Sequence, residues 1–466
     1  MQIKFYDSLS RSKRDFVPLE SNKKQVKIYS CGPTVYNYAH IGNMRAYLFM
    51  DTLRRVLRYA GYNVFGVLNI TDVGHLTDDG DDGDDKIAKA ANKANKQPLE
   101  LAEFYTNIFL QDLCSLNIER PEKIVKATEH INEMIDMCKI LIDKGFAYET
   151  DDGVYFDISK ANDYGKLSGD RQGKLAGARI AINSQKHNPA DFAVFKKAPQ
   201  NHIMKWESPW GLCYPGWHIE CSAMAYKYLG EKFDIHTGGI DHIPVHHENE
   251  IAQSEAFCGH NPANFWMHNE FMQVDGGKMS KSLGTAYRLE ELIEKGFTPI
   301  EFRYFCHTTH YRKKLNFSWD SMQGSKTSYA RLKESLNLHK TSKDKTDTTI
   351  LNQYKLQFQN AITDDLNTPL GLGILHSLIK LPNSIDIYNL SIEFDKILGL
   401  KLNEIDELDN SSINLIPKEV QNLAQKRWNA KLDKDYATAD NLRKQITELG
   451  YSIVDNKNDY DIIINN

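Results

Sequence analysis

Nothing in the 466-residue chain approaches the run of roughly 18 apolar residues that a membrane helix needs. Its start, MQIKFYDSLSRSKRDF, has no continuous apolar stretch, so a secretory leader is not expected. Cysteine is scarce. The seven present are an odd number without compact spacing, which excludes a disulfide framework and reads as reduced thiols in a cytosol, some of them candidate ligands. Net charge is only −5, so nucleic-acid binding has to use a local basic patch rather than a global field. There is no internal repeat. What remains is the composition of a soluble globular protein, long enough for about two to four domains.

KQVKIYS (24–30) predicts a short buried strand and YNVFGVLNI (62–70) a second. Between them Phe49, Leu53, Val56 and Leu57 share one helical face, and Gly61 stops the helix. Strand, loop, helix, strand is a βαβ unit, which predicts a parallel sheet covered by helices. Residues 97–144 read as helical; Ile131, Met134, Ile135, Cys138, Leu141 and Ile142 keep the 3.6-residue period. From 153 the pattern turns irregular and glycine-rich, like an insertion, and strand-like sequence returns at KFDIHTGG. From about 317 to the end the chain reads as helical and more polar, broken at LPNS (381–384) and by an acidic, asparagine-rich linker at 402–417.

Three segments carry chemistry. The loop YSCGPTVYNYAHIGN (29–43) falls at a strand-to-helix junction, where free N–H groups and the helix dipole favour an anion. His40 can donate to a phosphate oxygen and Gly42 lets a ligand approach the backbone; a capped turn with an incidental histidine fits this loop equally well. VDGGKMSKSLGT (274–285) carries Lys278 and Lys281, suited to charge that appears in a transition state, such as a departing pyrophosphate. Its bland alternative is a solvated basic loop. In IPVHHENEIAQ (243–253), His246 and Glu250 share a helix face and make half of a tetrahedral zinc site. Cys31 and Cys221 are candidates for the other half, against the competing readings of buried free thiols and a salt-laced helix. The order is not HExxH, so a thermolysin-type protease is a poor fit. The acidic run at 78–86 lacks the EF-hand offsets and reads as a solvated loop. Cys114, Cys138, Cys213, Cys258 and Cys306 read as structural. Between Arg312 and Lys345 nine basic residues face three acidic ones, an electrostatic footprint for a phosphate backbone or else a solvated helix face.

Lys278-Met279-Ser280-Lys281-Ser282 resembles the KMSKS signature of class I aminoacyl-tRNA synthetases, and His40-Ile41-Gly42-Asn43 resembles their HIGH signature with Asn43 in place of histidine. With NITDVGHLTDDGDDGDDKI, NPADFAVFKK, SPWG, PGWHIECSAM and DIHTGGIDHIPVHHENEIAQSEA, these motifs follow the order of the cysteinyl-tRNA synthetase family over nearly the whole chain. The resemblance implies an α/β fold: a Rossmann-type parallel-sheet catalytic domain split by an insertion, then a C-terminal α-helical bundle and a small C-terminal domain. Its divisions would be 1–116 and 215–316 for the catalytic halves, 117–214 for the connective insertion, 317–405 for a tRNA-binding bundle and 413–466 for an anticodon-binding element. It further implies an ATP-dependent ligase that activates L-cysteine as an adenylate and transfers it to the 3′-terminal adenosine of tRNA(Cys). His40, Asn43, Lys278 and Lys281 would be catalytic, and His40, Gly42, Asp241 and Lys281 would bind ATP. Thr71, Trp217 and His236 would bind cysteine. Cys31, Cys221, His246 and Glu250 would hold one Zn2+, and Mg2+ would enter with ATP. Arg427, Trp428, Lys431 and Arg443 would contact tRNA, with nothing carried over past 455. A monomer in the cytoplasm with no membrane partner is the implied state, and His218 and His242 read as structural.

A metal makes chemical sense for this substrate. Shape alone separates near-isosteres such as cysteine and serine by about 10–200-fold, whereas zinc prefers thiolate. Four protein ligands close a zinc site, so the expectation is either five-coordination with substrate or a Glu250 that yields. Two rivals remain: a related ligase delivering cysteine to a small-molecule amine, and a non-catalytic zinc and tRNA-binding protein.

Overall fold

The βαβ unit read from the sequence forms. In the computed structural model, β1 (Gln25–Ser30) and β2 (Asn63–Ile70) pair in parallel across α1 (Ile41–Tyr59). The described residues are 1–20, 22, 24–74, 87, 90–91, 97–170, 184–200, 202–280, 284–404, 418–433, 435–455 and 460–464. His40 caps α1 and Gly61 follows its end, while Met44, Leu48, Leu53, Val56 and Leu57 are among its buried residues.

Three further strands complete the sheet: β3 (Lys123–Lys126), β4 (Phe233–Gly239) and β5 (Ala263–Asn269). All five are parallel, in the order β5–β4–β1–β2–β3. The chain therefore builds outward from β1 in one direction and then from β4 in the other. The carboxyl ends of these two strands open a crevice at the switch point, where open α/β sheets bind ligands.

The helical expectation over 97–144 is corrected by β3, which lies between helices Pro98–Ser115 and Ile131–Asp143. Four residues show too little alternation to stand out between two helical patterns. β3 also hydrogen-bonds to β2, so the main sheet takes an edge strand from inside the span 117–214. The rest of that span includes an antiparallel sheet of five strands, Ala147–Thr150, Gly153–Phe156, Phe192–Lys197, Trp206–Ser208 and Gly211–Pro215. Its last strand leads into α2 (Trp217–Leu229), and a short turn after β4 leads into α3 (His246–Cys258). One apolar core, with Tyr29, Val67, Phe156, Phe195, Met224 and Trp266 in it, runs from the sheet into the insertion.

A bundle follows: α4 (Trp319–Thr341), α5 (Thr348–Thr363), α6 (Thr368–Leu378) and α7 (Ile385–Leu398). Arg303, on helix Pro299–His307, ties it to the sheet domain. Its Nη2 meets Asp51 Oδ2 of α1 at 2.6 Å, and its Nε donates to the Leu398 carbonyl at 2.6 Å. Its Nη1 reaches the carbonyls of Leu116 and Asn117 at 3.0 and 2.9 Å. Gly399 turns beside this guanidinium at φ +63°, where a Cβ would lie 2.5 Å from Nη2.

Residues Asn403–Asn466 form a second compact unit. It contains α8 (Lys418–Leu432), α9 (Tyr436–Glu448) and a hairpin of β6 (Tyr451–Asp455) with β7 (Tyr460–Ile464) around Val420, Ala424, Ile446 and Ile453. The hairpin corrects the expectation of helix to the end; YSIVD and YDIII are short runs rich in β-branched and aromatic residues that fit strands. Among the described residues no helix is long and apolar enough to cross a membrane.

Candidate active site

A cleft of about 670 Å³ opens at the switch point, walled by the start of α1, the Gly277–Lys278 strand, the start of α2 and the turn after β4. His40 stands at its edge as the N-cap of α1. Its Nδ1 accepts the Asn43 N–H at 3.1 Å, and Asn43 Oδ1 accepts the His40 N–H at 3.1 Å, a reciprocal capping box. With Nδ1 an acceptor, the neutral ring carries its proton on Nε2. Gly42 lines the cleft where a Cβ would meet His40 Nδ1 at 3.0 Å and Met279 Sδ at 3.3 Å. Lys278 and Asp241 line the same cleft, both exposed. Lys281 lies outside the described residues, as does the acidic run 78–86.

Cys31, just past the carboxyl end of β1, lines the cleft, and it is joined by Cys221 from α2 and by His246 and Glu250 from α3. Ligand atoms of these four buried residues all lie within 4.8 Å of one another. His246 Nε2 is 3.0 Å from Glu250 Oε1, and Cys31 Sγ is 3.9 Å from the same oxygen. A tetrahedral ion with bonds of about 2.0–2.3 Å needs donors roughly 3.3–3.8 Å apart, so small side-chain adjustments suffice. The residues fit a metal. His246 is aimed for it: its Nδ1 is hydrogen-bonded to His218 Nδ1 at 3.0 Å, and its ring stacks on Trp217 with centroids 4.2 Å apart. A second quartet, Cys31, His236, His247 and Glu250, overlaps the first. The pairing of two thiols favours the Cys221 set for a thiophilic ion.

Charge is already distributed for that purpose. Burial would push the Cys221 thiol up, but hydrogen bonds from Cys31 and His246 outweigh it and pull the thiol down. Burial and the neighbouring Cys221 push Cys31 well up. Burial would also raise the Glu250 carboxyl, yet His236 and His246 hold it well below the usual carboxylate range. His247 and His268, hydrogen-bonded to each other at 2.7 Å, are driven well down by burial and by nearby imidazoles and stay neutral.

Two residues expected to bind cysteine are engaged by other side chains and do not line the cleft. Thr71 is buried beneath it, donating to Glu220 Oε2 at 2.9 Å and accepting from Asn69 Nδ2 at 3.2 Å. His236 lies behind the quartet, its Nε2 2.9 Å from Glu250 Oε2 and its ring stacked on Trp266. Trp217 does line the cleft. So do His218 and His242, which from the sequence read as structural.

Against known proteins, residues 16–327 match the family described as tRNA synthetases class I (C) catalytic domain, and 357–391 match a DALR domain. The cysteine–tRNA ligase of Treponema denticola is 45% identical, covering 98% of each chain, and that of Chlorobium chlorochromatii is 41% identical with the same coverage. The chain belongs to the cysteine–tRNA ligase family. Methionyl-tRNA synthetase of Mycobacterium tuberculosis with bound methionyl-adenylate shares the fold at a TM-score of 0.60 and 13% identity, over 82% of this chain and 93% of that one.

In this cysteine–tRNA ligase family member, the residues expected to touch tRNA are partly engaged within the fold. Arg427 is 4% exposed and grips Asp455 with both terminal nitrogens. Lys431 pairs with the same carboxylate at 2.8 Å, Trp428 packs on Tyr460, and Arg443 donates to the Ile453 carbonyl at 3.0 Å while staying exposed. The basic footprint also shrinks: Arg312 pairs with Asp365 at 2.6 Å, Lys345 with Asp386 at 3.1 Å, and Lys326 donates to the Gly296 carbonyl. Sequence reasoning missed Lys314 as a cleft residue, because it counted only as one charge in that basic stretch. Arg45 positions the segment, donating to the carbonyls of Glu270, Phe271 and Lys313.

Proposed function

We propose that the chain activates L-cysteine with ATP and passes it to the 3′-terminal adenosine of tRNA(Cys), with one zinc ion held by Cys31, Cys221, His246 and Glu250. The observation that carries the reading is one cleft lined by His40, Lys278 and Cys31, the last of them a member of the buried Cys–Cys–His–Glu quartet.

ATP, with its Mg2+, lies over the start of α1. There His40 offers Nε2–H to a phosphate oxygen, and Gly42 lets the nucleotide approach the backbone. Ile41 N–H is already taken by the Tyr287 carbonyl at 2.8 Å, and Asn43 N–H by His40. The anion therefore relies on the imidazole and the rest of the first turn. Asp241, which lines the same cleft, takes the ribose. The cysteine carboxylate attacks the α-phosphate, and Lys278 with Lys281 neutralises the pyrophosphate as it departs. A hydroxyl of the terminal adenosine then attacks the acyl carbon and AMP leaves. Positioning and charge complementarity supply the catalysis, without a covalent enzyme intermediate. A zinc ion held by Cys31, Cys221, His246 and Glu250 would supply thiophilic Lewis acidity for selecting a thiol over a hydroxyl. Trp217 walls the small side chain, and Glu250 stays tethered to His236 through its second oxygen.

Cysteine-dependent exchange of pyrophosphate into ATP, run with metal analysis, tests this. The expected result is exchange with cysteine and not serine by a protein holding one zinc per chain. No exchange overturns the activity; metal-free protein with undiminished preference for cysteine overturns the zinc assignment. The small-amine rival is not favoured, given a DALR match and relatives covered over 98% of their length. Retention of tRNA on a filter by the purified chain separates the two.

A further inference from the structure

A second lysine stands on the cleft wall that carries Lys278. Three short strands build this wall, Gly277–Lys278, Met272–Val274 and Leu315–Phe317, with Met272–Val274 in the middle. Their register sets Lys278 beside Gln273 and Gln273 beside Asn316. Laterally paired side chains share a face, and so do positions two apart along a strand. Met272, Val274, Leu315 and Phe317 are buried on one face. The opposite face holds Lys278, Gln273 and Asn316 and continues back to Phe271 and Lys314. Phe271, Gln273, Lys278 and Lys314 all line the cleft. Two strand spacings, about 10 Å, separate the chains that bear the lysines, and each ammonium rides a flexible four-carbon stem. One polyanion can therefore meet both.

The wall is braced. Arg45 of α1 donates to the Lys313 carbonyl at 2.5 Å and to those of Glu270 and Phe271 at 2.7 Å each. Asn316 Oδ1 accepts the Gly276 N–H at 2.7 Å. The segment bearing Lys314 is thus fastened both to the helix that His40 caps and to the turn before Lys278. Arg312, two residues earlier, is committed to Asp365, while Lys314 stays exposed. We propose that Lys314 binds the polyphosphate of ATP and, with Lys278 across the strand Met272–Val274, holds the departing pyrophosphate.

The inference rests on the activation reading given under Proposed function and adds a residue to it. As a cysteine carboxylate oxygen bonds to the α-phosphorus, the bond from that phosphorus to the bridging oxygen breaks. Its electron pair leaves on pyrophosphate, and a cation already in place stabilises that charge without reorganising.

Lys314→Ala is read by cysteine-dependent pyrophosphate exchange without tRNA, with inorganic pyrophosphate as the varied reactant. Loss of one charge-assisted contact should raise the KM for pyrophosphate by about 10-fold, and that for ATP in the same direction. The KM for cysteine and the melting temperature should not move, since an exposed side chain gives up no packing. Lys314→Arg, which keeps the charge, should recover most of the loss. Added salt should weaken pyrophosphate binding less in K314A than in the unaltered protein. Unchanged KM values for pyrophosphate and ATP in K314A overturn the inference. So does a defect confined to tRNA charging, which would put the ammonium on an RNA phosphate instead. No exchange by the unaltered protein overturns the activation reading, and this inference with it.

Discussion

Asn43 shows how much one side chain decides at the mouth of the cleft. Its amide oxygen closes the cap on His40, so that oxygen is engaged within the helix rather than facing phosphate or ribose. Asn43→Ala should destabilise the protein by about 1 kcal/mol, the usual worth of a lost cap, visible in thermal unfolding. It should slow pyrophosphate exchange only mildly, because the His40 backbone N–H loses its acceptor while the ring Nδ1 keeps the Asn43 backbone N–H. Lys278→Ala should cut that exchange by about 10²-fold, with a milder effect on tRNA binding; an unchanged rate would remove Lys278 from the pyrophosphate. Residue types and spacings were legible in the sequence for Cys31, Cys221, His246 and Glu250. Partners were not. Thr71, His236 and Arg427 stand in the right pattern, but only the fold reveals that Glu220, Glu250 and Asp455 already engage them.

At the scale of elements, the strand-to-helix junction after β1 depends on close approach. Gly42→Ala places a methyl 3.0 Å from His40 Nδ1 and 3.3 Å from Met279 Sδ. The imidazole or the Lys278–Met279 segment has to give way. The expected outcome is a helical spectrum like that of the unaltered protein with a raised KM for ATP. Periodicity made β1, α1 and β2 legible, because long elements repeat their pattern. β3 and the hairpin of β6 and β7 were not, since runs of four or five residues gain their identity from the strand beside them.

For the whole molecule, the joint between sheet domain and bundle is the buried pair of Asp51 and Arg303, both 0% exposed. Burial would raise the Asp51 carboxyl, but Arg303, Arg55 and Arg54 together lower it to about 2 from 3.8. A carboxyl depressed in the folded state stabilises above its unfolded value and loses that contribution as pH falls towards the folded one. Acid unfolding should therefore steepen between about pH 4 and pH 2, and Asp51→Asn should flatten that limb. The same substitution strands guanidinium groups, so urea unfolding at neutral pH should lose about 3–5 kcal/mol. No local pattern announces such a joint, whose parts lie on α1 and on helix Pro299–His307. The quartet is equally dispersed, with Cys31 and Glu250 separated by 219 positions. At synthesis speeds of about 5–20 residues per second, the earlier sulfur leaves the ribosome roughly 10–45 s ahead of the carboxylate it will sit beside. For that interval a nascent chain carries an unguarded thiol, and the four side chains can meet only after translation has passed α3.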